Sequence, residues 1–291
     1  MKRILQYFKK KKEERLEKKK VSQNPKKPVF SKSPPTPNNS PREVIPKAVF
    51  FKEEAKKEAI LIGLNYPRSH YALNGCINDV KNGNQFLQTK GYKTRFLEDK
   101  DISDKYNIIE ALKELKASTA KTVFFHYSGH GTQVKDTNGD EMDGLDEAIY
   151  SKNGKIITDD EISEVLMSFP KDKTVFLVFD CCHSGSIADL PYIAGKTGIQ
   201  LEKTQKMMRA DIICLSGCED RQTSADVTEK GVSYGALSAT LYNILKNMDK
   251  KKMTWGQLYK QLVLEMSFRG YSQYPQLTSS DPSILDKIVQ F

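Results

Sequence analysis

Short apolar runs alternate with amphipathic segments from residue 57 onwards, and this alternation limits the folds that the chain can adopt. Residues 59–63, 92–97, 121–126 and 174–179 have the length and composition of buried strands. The run at 174–179 is almost uniformly apolar, as expected of a strand that is covered on both faces. We therefore predict an α/β fold with a mainly parallel central sheet and helices on both faces.

Helical periodicity fills the intervals between these strands. In one interval, Ile108, Leu112 and Leu115 recur at the spacing that places them on one face of a helix. The predicted helices are residues 78–89, 103–117, 159–167, 236–246 and 255–266, and residues 211–215 are predicted to be the last strand. An acidic loop is expected before the helix at 159, and a polar linker is expected over residues 194–209.

The first 50 residues differ in composition from the rest of the chain. They carry fifteen Lys or Arg against four Asp or Glu, whereas the remaining residues carry 31 basic and 33 acidic side chains. Seven of the twelve prolines lie between residues 24 and 46. Because this composition buries little apolar surface, we predict a disordered basic extension over residues 1–56 and a folded domain over residues 57–291. An alternative is that the extension binds a partner, a membrane surface or nucleic acid, although the near-neutral domain favours no specific nucleic-acid binding.

The cysteine count and the apolar runs indicate the compartment. Five cysteines, an odd number, are not typical of a disulfide framework. No apolar run approaches the roughly 20 residues that span a bilayer, and the apolar start of the chain is too short for a signal peptide. We therefore expect a reducing, cytoplasmic location without a transmembrane segment.

Reactive side chains follow two of the predicted strands. Residues 126–131 read His-Tyr-Ser-Gly-His-Gly, and residues 180–185 read Asp-Cys-Cys-His-Ser-Gly. Because sites in open α/β sheets lie beyond the carboxyl ends of the strands, a thiol and an imidazole are expected to meet there. An imidazolium favours the thiolate form of a neighbouring cysteine, and the thiolate is the attacking nucleophile. The pattern indicates a hydrolase that uses a cysteine and a histidine.

These two motifs resemble those of the metacaspases, a family of caspase-like cysteine peptidases. Three further segments also match the family: Gly-Cys-Ile-Asn-Asp at 75–79, Ser-Gly-Cys at 216–218 and Gln-Thr-Ser-Ala-Asp at 222–226. The basic, proline-rich extension is similar to that of the short-linker metacaspases. The resemblance implies a caspase-like fold, with a large-subunit-like part to about residue 193 and a small-subunit-like part over residues 210–291. It also implies endopeptidase activity on protein or peptide substrates.

The resemblance implies a catalytic dyad of His130 and Cys182. The choice between the two adjacent cysteines also follows from alternation, because Asp180 and Cys182 face one way along an extended segment and Cys181 faces the other. We expect the backbone N–H groups of Gly131 and Cys182 to bind the oxyanion.

The resemblance also implies a pocket for the residue that precedes the scissile bond. Its lining positions are Cys76, Asp79, Ser128 and Asp180. Two carboxylates in a narrow pocket favour Arg or Lys and disfavour Asp. Without the resemblance, Asp79 is interpreted as a surface residue near a helix start.

The acidic loop has two interpretations that involve a metal. Four residues fall at positions 1, 3, 5 and 12 of an EF-hand-like loop: Asp136, Asn138, Asp140 and Glu147. Glu141 occupies position 6, which requires glycine, and this argues against an EF-hand. The resemblance implies a different calcium site, formed by Asp146, Asp159, Asp160 and Asp189. The alternative is that these acids are solvated and that Asp159 and Asp160 begin a helix.

Three further possibilities remain at this stage. A zinc site would use His126, His130, Cys182 and His183, but adjacent Cys and His residues do not easily bind one tetrahedral ion, and we expect His126 to be structural. Self-cleavage could occur at Lys196, Lys203, Lys206 or Arg209 in the polar segment. The alternative to a peptidase is a catalytically inactive caspase-like scaffold, or an aggregate-handling partner, that acts through its N-terminal extension.

Overall fold

The computed structural model describes most of the chain beyond the N-terminal extension. The described residues are 55–139, 141, 144–195, 198–201, 207–217, 226–229, 232–248, 252–271 and 273–291. The prediction of a disordered extension therefore falls almost entirely outside the described residues. Lys196, Lys203, Lys206, Cys218 and residues 222–225 also lie outside them.

Thirteen strands are present in the described part of the chain. They are β1 (Lys57–Gly63), β2 (Lys93–Glu98), β3 (Thr122–Ser128), β4 (Gly131–Lys135), β5 (Leu145–Tyr150), β6 (Ile156–Thr158), β7 (Thr174–Asp180), β8 (Tyr192–Gly195), β9 (Gly198–Leu201), β10 (Asp211–Ser216), β11 (Asp226–Glu229), β12 (Val232–Gly235) and β13 (Gln276–Ser279). Eight of them form one sheet in the order β2-β1-β3-β7-β10-β13-β8-β9. The first five are mutually parallel, and the last three pair antiparallel. The mainly parallel sheet predicted from the sequence is confirmed.

Five α-helices pack on the sheet. They are α1 (Cys76–Thr89), α2 (Lys105–Ala117), α3 (Asp159–Met167), α4 (Ala236–Asn247) and α5 (Trp255–Phe268), and a short 3-10 helix spans Ile284–Asp286. Buried residues form two apolar clusters, one with side chains of α2 and α3 and the other with side chains of α1, α4 and α5. Adjacent residues of β3 belong to different clusters, because Phe125 packs with α2 and α3 and Phe124 packs with α1, α4 and α5. The helices therefore cover both faces of the sheet, as predicted. None of the helices in the described part of the chain is long and apolar enough to cross a membrane.

Helix α3 begins where a capping box satisfies its first backbone donors. The hydroxyl of Thr158 accepts a hydrogen bond from Glu161 N at 3.3 Å, and the Glu161 carboxylate accepts one from Thr158 N at 3.3 Å. The cap fixes the start of the helix at Asp159, as predicted from the sequence. It thereby places Asp159 and Asp160 in the first turn, where the helix dipole stabilises negative charge.

Short polar strands were missed in the sequence. The acidic loop contains the antiparallel sheet β4-β5-β6, and residues 194–209, predicted to be a linker, include the hairpin of β8 and β9. The prediction that residues 211–215 form the last strand was wrong, because β11, β12 and β13 follow. These strands have three to six residues and mixed polarity, so the pairing partner rather than local hydrophobicity determines them.

The buried side chain of Lys173, just before β7, connects the sheet to the end of α2. Its buried ammonium group donates to the carbonyls of Ser118 at 2.6 Å, Ala120 at 2.7 Å and Leu115 at 3.2 Å, beyond the end of α2. Because Lys173→Met leaves these acceptors without their donor, we expect it to lower the free energy of unfolding by about 2 kcal/mol. The change is measured by urea unfolding, with the exposed neighbour in Lys171→Met as control. Equal losses in the two variants would contradict this role.

Candidate active site

The segments that carry His130 and Cys182 lie side by side. Strands β3 and β7 pair in parallel with Ser128 opposite Asp180, and Gly129 N donates to Asp180 O at 3.4 Å. Just beyond the strand ends, a Cβ atom at position 131 would lie 1.9 Å from the carbonyl oxygen of Cys182. Only glycine permits this approach, so Gly131 allows the two turns to touch through their backbones.

The two adjacent cysteines have different environments. Cys181 is fully buried in an apolar cluster, whereas Cys182 is partly exposed. Among the cysteines that the structure describes, Cys182 is the accessible one, because Cys76 and Cys214 are also buried. Burial raises the pKa of the Cys214 thiol to about 12, which makes it a poor nucleophile.

The imidazole of His130 is oriented by the loop that follows β1. Its Nε2 atom lies 2.6 Å from the carbonyl oxygen of Tyr71, and because a carbonyl only accepts, Nε2 donates. The ring also packs on the ring of Tyr66, with centroids 4.8 Å apart, and against the edge of Tyr71 at 5.7 Å. Donation from Nε2 leaves Nδ1 as the basic nitrogen of the neutral ring.

The predicted pocket residues converge near the start of α4. Asp79, Ser128, Cys76 and Asp180 are all buried, and Ser128 Oγ donates to Asp79 Oδ2 at 2.7 Å. A Cβ atom at Gly235 would lie 2.2 Å from Asp180 Oδ2 and 2.9 Å from Asp79 Oδ2. The two carboxylates therefore reach the same place, and Asp79 is not the surface residue of the alternative interpretation.

Backbone donors at the start of α4 hold these carboxylates. Gly235 N donates to Asp79 Oδ1 at 2.9 Å, and Ser238 N donates to Asp180 Oδ2 at 2.8 Å. The N-terminus of a helix stabilises negative charge through such donors. The start of α4 thus places backbone donors against both buried carboxylates.

His126 lies beneath this pocket, two residues before Ser128 on the same face of β3. Its Nε2 atom is 3.1 Å from Ser238 Oγ, and its Nδ1 atom is 3.0 Å from the hydroxyl of Tyr242. Burial lowers the pKa of His126 to about 3, so the ring is neutral. Because hydroxyl groups engage both nitrogens, the zinc site that includes His126 does not fit.

Acidic side chains gather on a second side of the domain. Oxygen atoms of Asp146, Asp159 and Asp160 lie within 4.8 Å of one another, and so do those of Glu141, Asp159 and Asp189. Asp159 belongs to both groups, and the four predicted calcium ligands are thereby brought together around it. Glu141, the residue that argues against an EF-hand, also belongs among these acids, and its place there was not predicted from the sequence.

Residues at the other EF-hand positions form hydrogen bonds within the protein. The Asp136 carboxylate accepts from the backbone N–H groups of Asn138, Gly139 and Glu141, as in a turn. The buried Glu147 carboxylate accepts from Gln133 at 3.1 Å and from Ser186. These contacts fit the sequence-based argument against an EF-hand, and Asp140 lies outside the described residues.

The charge and chemistry of the acidic cluster suit a hard cation. Burial, together with the negative charges of Asp189 and Glu147, raises the pKa of Asp159 to about 9. The donors of both groups are carboxylate oxygens, and they come from the loop between β4 and β5, from β5, from the first turn of α3 and from the loop after β7. Several oxygens that converge from separate segments fit Ca²⁺ better than a thiophilic metal.

The two downstream segments on which the resemblance also rests, residues 216–218 and 222–226, are only partly described by the structure. Gly217 follows β10 beside the pocket, where its N–H donates to Phe179 O at 2.9 Å and a Cβ atom would lie 3.2 Å from Asp180 Oδ1. Of the basic residues considered for self-cleavage, Arg209 is described, and it is exposed just before β10.

Comparisons with known proteins agree with this architecture. A family model described as Caspase domain matches residues 56–284. Metacaspase-1 of Mycosarcoma maydis is 32% identical over 295 residues, which cover 80% of this chain and 72% of that protein. A solved protein of Geobacter sulfurreducens has a TM-score of 0.60 and 26% identity, with 79% of this chain and 96% of that chain covered.

Caspase-1 of Spodoptera frugiperda is similar to this chain in fold. Its TM-score is 0.53 at 12% identity, with 80% of this chain and 90% of that chain covered. The likeness in fold, the family match over most of the domain and the identity to metacaspases agree with one another. The chain therefore belongs to the metacaspases, within the caspase-domain family, and is a cysteine endopeptidase.

Proposed function

We propose that this metacaspase cleaves proteins after Arg or Lys, with Cys182 as nucleophile, His130 as its base and Ca²⁺ as cofactor. The observation that carries the proposal is the backbone contact between Gly131 and Cys182, because it joins the turn that carries a partly exposed thiol to the turn that carries an oriented imidazole. Two buried carboxylates lie at the end of the same pair of strands.

The dyad acts through proton transfer between sulfur and imidazole. The sulfur of Cys182 bonds to the scissile carbonyl carbon, and the imidazolium of His130 gives a proton to the peptide nitrogen as the C–N bond breaks. Water then adds hydroxide to the acyl carbon and gives a proton to His130, and the C–S bond breaks with its electron pair on sulfur, which regenerates the thiolate and imidazolium. The Tyr71 carbonyl stabilises the imidazolium, because it accepts from Nε2 at 2.6 Å. Backbone N–H groups of Gly131 and Cys182 hold the oxyanion.

Specificity for Arg or Lys follows from the charge of the pocket. Asp79 and Asp180 are buried and close to one another, and Ser128 Oγ and backbone N–H groups donate to them. A guanidinium or ammonium group compensates their charge, whereas an aspartate side chain adds a further negative charge. Ser128 and Cys76 complete the lining.

Calcium would be held by Asp146, Asp159, Asp160 and Asp189, with Glu141 as an additional donor. When bound, the ion supplies positive charge that offsets the mutual repulsion of these acids. Asp189 lies seven residues after Cys182, at a left-handed φ of 48°. Fixing its carboxylate therefore restrains the loop that connects the nucleophile to the acidic cluster.

Self-processing belongs to the same proposal. Arg209 is exposed before β10, and an enzyme with this specificity can cleave exposed basic positions of another copy of itself. The odd cysteine count and the reactive thiol support a reducing, cytoplasmic compartment.

The nucleophile is tested with fluorogenic peptides that end in Arg, Lys or Asp. We expect wild-type protein to cleave after Arg or Lys, and Cys182→Ala to lower kcat by about a thousandfold or more, because it removes the attacking sulfur. Cys181→Ala is the matched neighbour and should retain cleavage. Activity in Cys182→Ala but not in Cys181→Ala would reverse the assignment, and no cleavage by folded wild-type protein would favour the scaffold.

The pocket is tested with Asp79→Asn and Asp180→Asn. Each removes one of the buried charges that bind the substrate cation, so kcat/KM for Arg peptides should fall about a hundredfold. Alkylation of Cys182 by uncharged iodoacetamide should stay within about twofold of wild type, since that reagent does not use the pocket. Cleavage after Asp by wild-type protein would contradict the assignment.

The cation site is tested by titration calorimetry and by thermal unfolding with Ca²⁺ or chelator. Wild-type protein should bind Ca²⁺ and gain stability from it, because the ion binds the folded state alone. Asp159→Asn should weaken binding about tenfold or more, since Asp159 belongs to both groups of acids. The control is Asp172→Asn, an exposed acid that pairs with Lys121. Binding that is the same in both variants would exclude this site.

A further inference from the structure

The backbone of His130 is held by two buried phenols. His130 N donates to the hydroxyl of Tyr66 at 3.2 Å, and the hydroxyl of Tyr127 donates to His130 O at 3.0 Å. The two hydroxyl oxygens lie 2.9 Å apart, and each is within 3.0 Å of the carbonyl of Tyr150. The His130 N–H thus donates to a tyrosine hydroxyl, and the His130 carbonyl accepts from a tyrosine hydroxyl and from Tyr150 N at 3.1 Å.

The two hydroxyl protons of this network are shared among four close oxygen–oxygen contacts, and one assignment gives each carbonyl a donor. Two hydroxyl protons serve two carbonyl acceptors, those of His130 and Tyr150, while the Tyr66 oxygen also accepts from His130 N. Burial raises the pKa of both phenols, so each keeps its proton over the working range. The contacts to His130 therefore persist across the pH range in which a thiol and an imidazole titrate.

Tyr66 has an unusual backbone conformation that needs support. Its φ is 48°, in the left-handed region, which costs a bulky residue about 1 kcal/mol or more. The buried carboxylate of Asp99 accepts from Tyr66 N at 2.8 Å and from Asn65 N at 2.9 Å. These hydrogen bonds to a charged acceptor offset that cost and hold the turn.

The same loop reaches the catalytic ring. Tyr66 packs its ring on the imidazole at 4.8 Å, and Tyr71, five residues on, accepts from His130 Nε2. The loop that Asp99 anchors therefore contacts His130 at its backbone N–H, its ring face and its Nε2 atom. Asp99 follows β2, at the edge of the sheet, and touches neither the thiol nor the pocket carboxylates in the contacts above.

We propose that Tyr66 is a positioning residue for His130 and that Asp99 acts through Tyr66, by holding the loop in its left-handed turn. The inference rests on the dyad proposed above and deepens it. Removing the Tyr66 hydroxyl frees the backbone N–H of His130, so the imidazolium is held less well against the thiolate of Cys182. Reaction rates depend on such placement to within about 1 Å, so kcat falls while KM for the substrate changes little.

The test compares Tyr66→Phe, which keeps the ring and removes one oxygen, with wild type and with Tyr106→Phe. Tyr106 is the matched control, an exposed tyrosine in α2. The first measurement is the pH dependence of Cys182 alkylation by iodoacetamide, corrected with Cys182→Ala. Near pH 6.5, Tyr66→Phe should react about tenfold more slowly than wild type, because only a thiolate paired with imidazolium forms at that pH. Near pH 9.5 its alkylation rate should approach that of wild type.

The second measurement is of kcat and KM with an Arg peptide, where kcat should fall about tenfold and KM should stay within about twofold of wild type.

Asp99 is tested by the same two measurements. Asp99→Ala removes both acceptors and should behave like Tyr66→Phe or worse, whereas Asp99→Asn keeps one acceptor oxygen and should recover part of the rate. Circular dichroism and urea unfolding establish whether each variant is folded. If Asp99→Ala is not folded, Tyr66→Phe still tests the positioning role of Tyr66, and Asp99→Asn tests the part assigned to Asp99.

The outcomes separate this inference from the dyad itself. Fast alkylation of wild type at low pH that His130→Ala abolishes would support the dyad. If Tyr66→Phe then matches wild type in both measurements, the positioning role is overturned and the dyad stands. A wild-type thiol that reacts only at high pH would overturn both. A slow Tyr66→Phe with a normal, folded Asp99→Ala would overturn the part assigned to Asp99.

Discussion

The parallel pairing of β3 with β7 is the interaction on which the rest of the site depends. It aligns Ser128 with Asp180, so the two turns that follow leave the sheet together and meet at Gly131 and Cys182. A shift of one residue would move every side chain of the strand to the opposite face. The apolar residues of both strands, buried between two helix layers, hold the register that the chemistry requires.

This register also places two different groups of site side chains on the two faces of the sheet. On the side of α4, the side chains of His126, Ser128 and Asp180 build the pocket and its support. On the opposite side, Tyr127 turns back to hold the main chain of His130, and Cys181 is buried. Alternation along two strands thus separates the side chains of the proposed substrate pocket from the residues that hold the main chain of the proposed base.

Local hydrophobicity explains what could be predicted from the sequence. The five parallel strands and five helices carry strong apolar patterns, and their approximate limits were predicted correctly, as was the juxtaposition of the two motifs. Glu141, Tyr66 and Asp99 were not singled out as site residues. Asp99 meets the Tyr66 backbone across 33 residues, and the Tyr66 hydroxyl meets His130 across 64, so neither contact leaves a periodic trace in the sequence. Such contacts depend on the folded topology, which residue spacing does not encode.

Two groups of buried acids face the same physical problem. Burying a carboxylate costs several kcal/mol unless hydrogen bonds or opposite charge compensate it. In the pocket, α4 supplies neutral donors to Asp79 and Asp180, and a basic substrate side chain would add opposite charge. In the second cluster, burial and the negative charges of Asp189 and Glu147 raise the pKa of Asp159. A bound cation would oppose that shift, so one principle links the two proposals: each places buried carboxylates where an added positive charge would lower the cost of their burial.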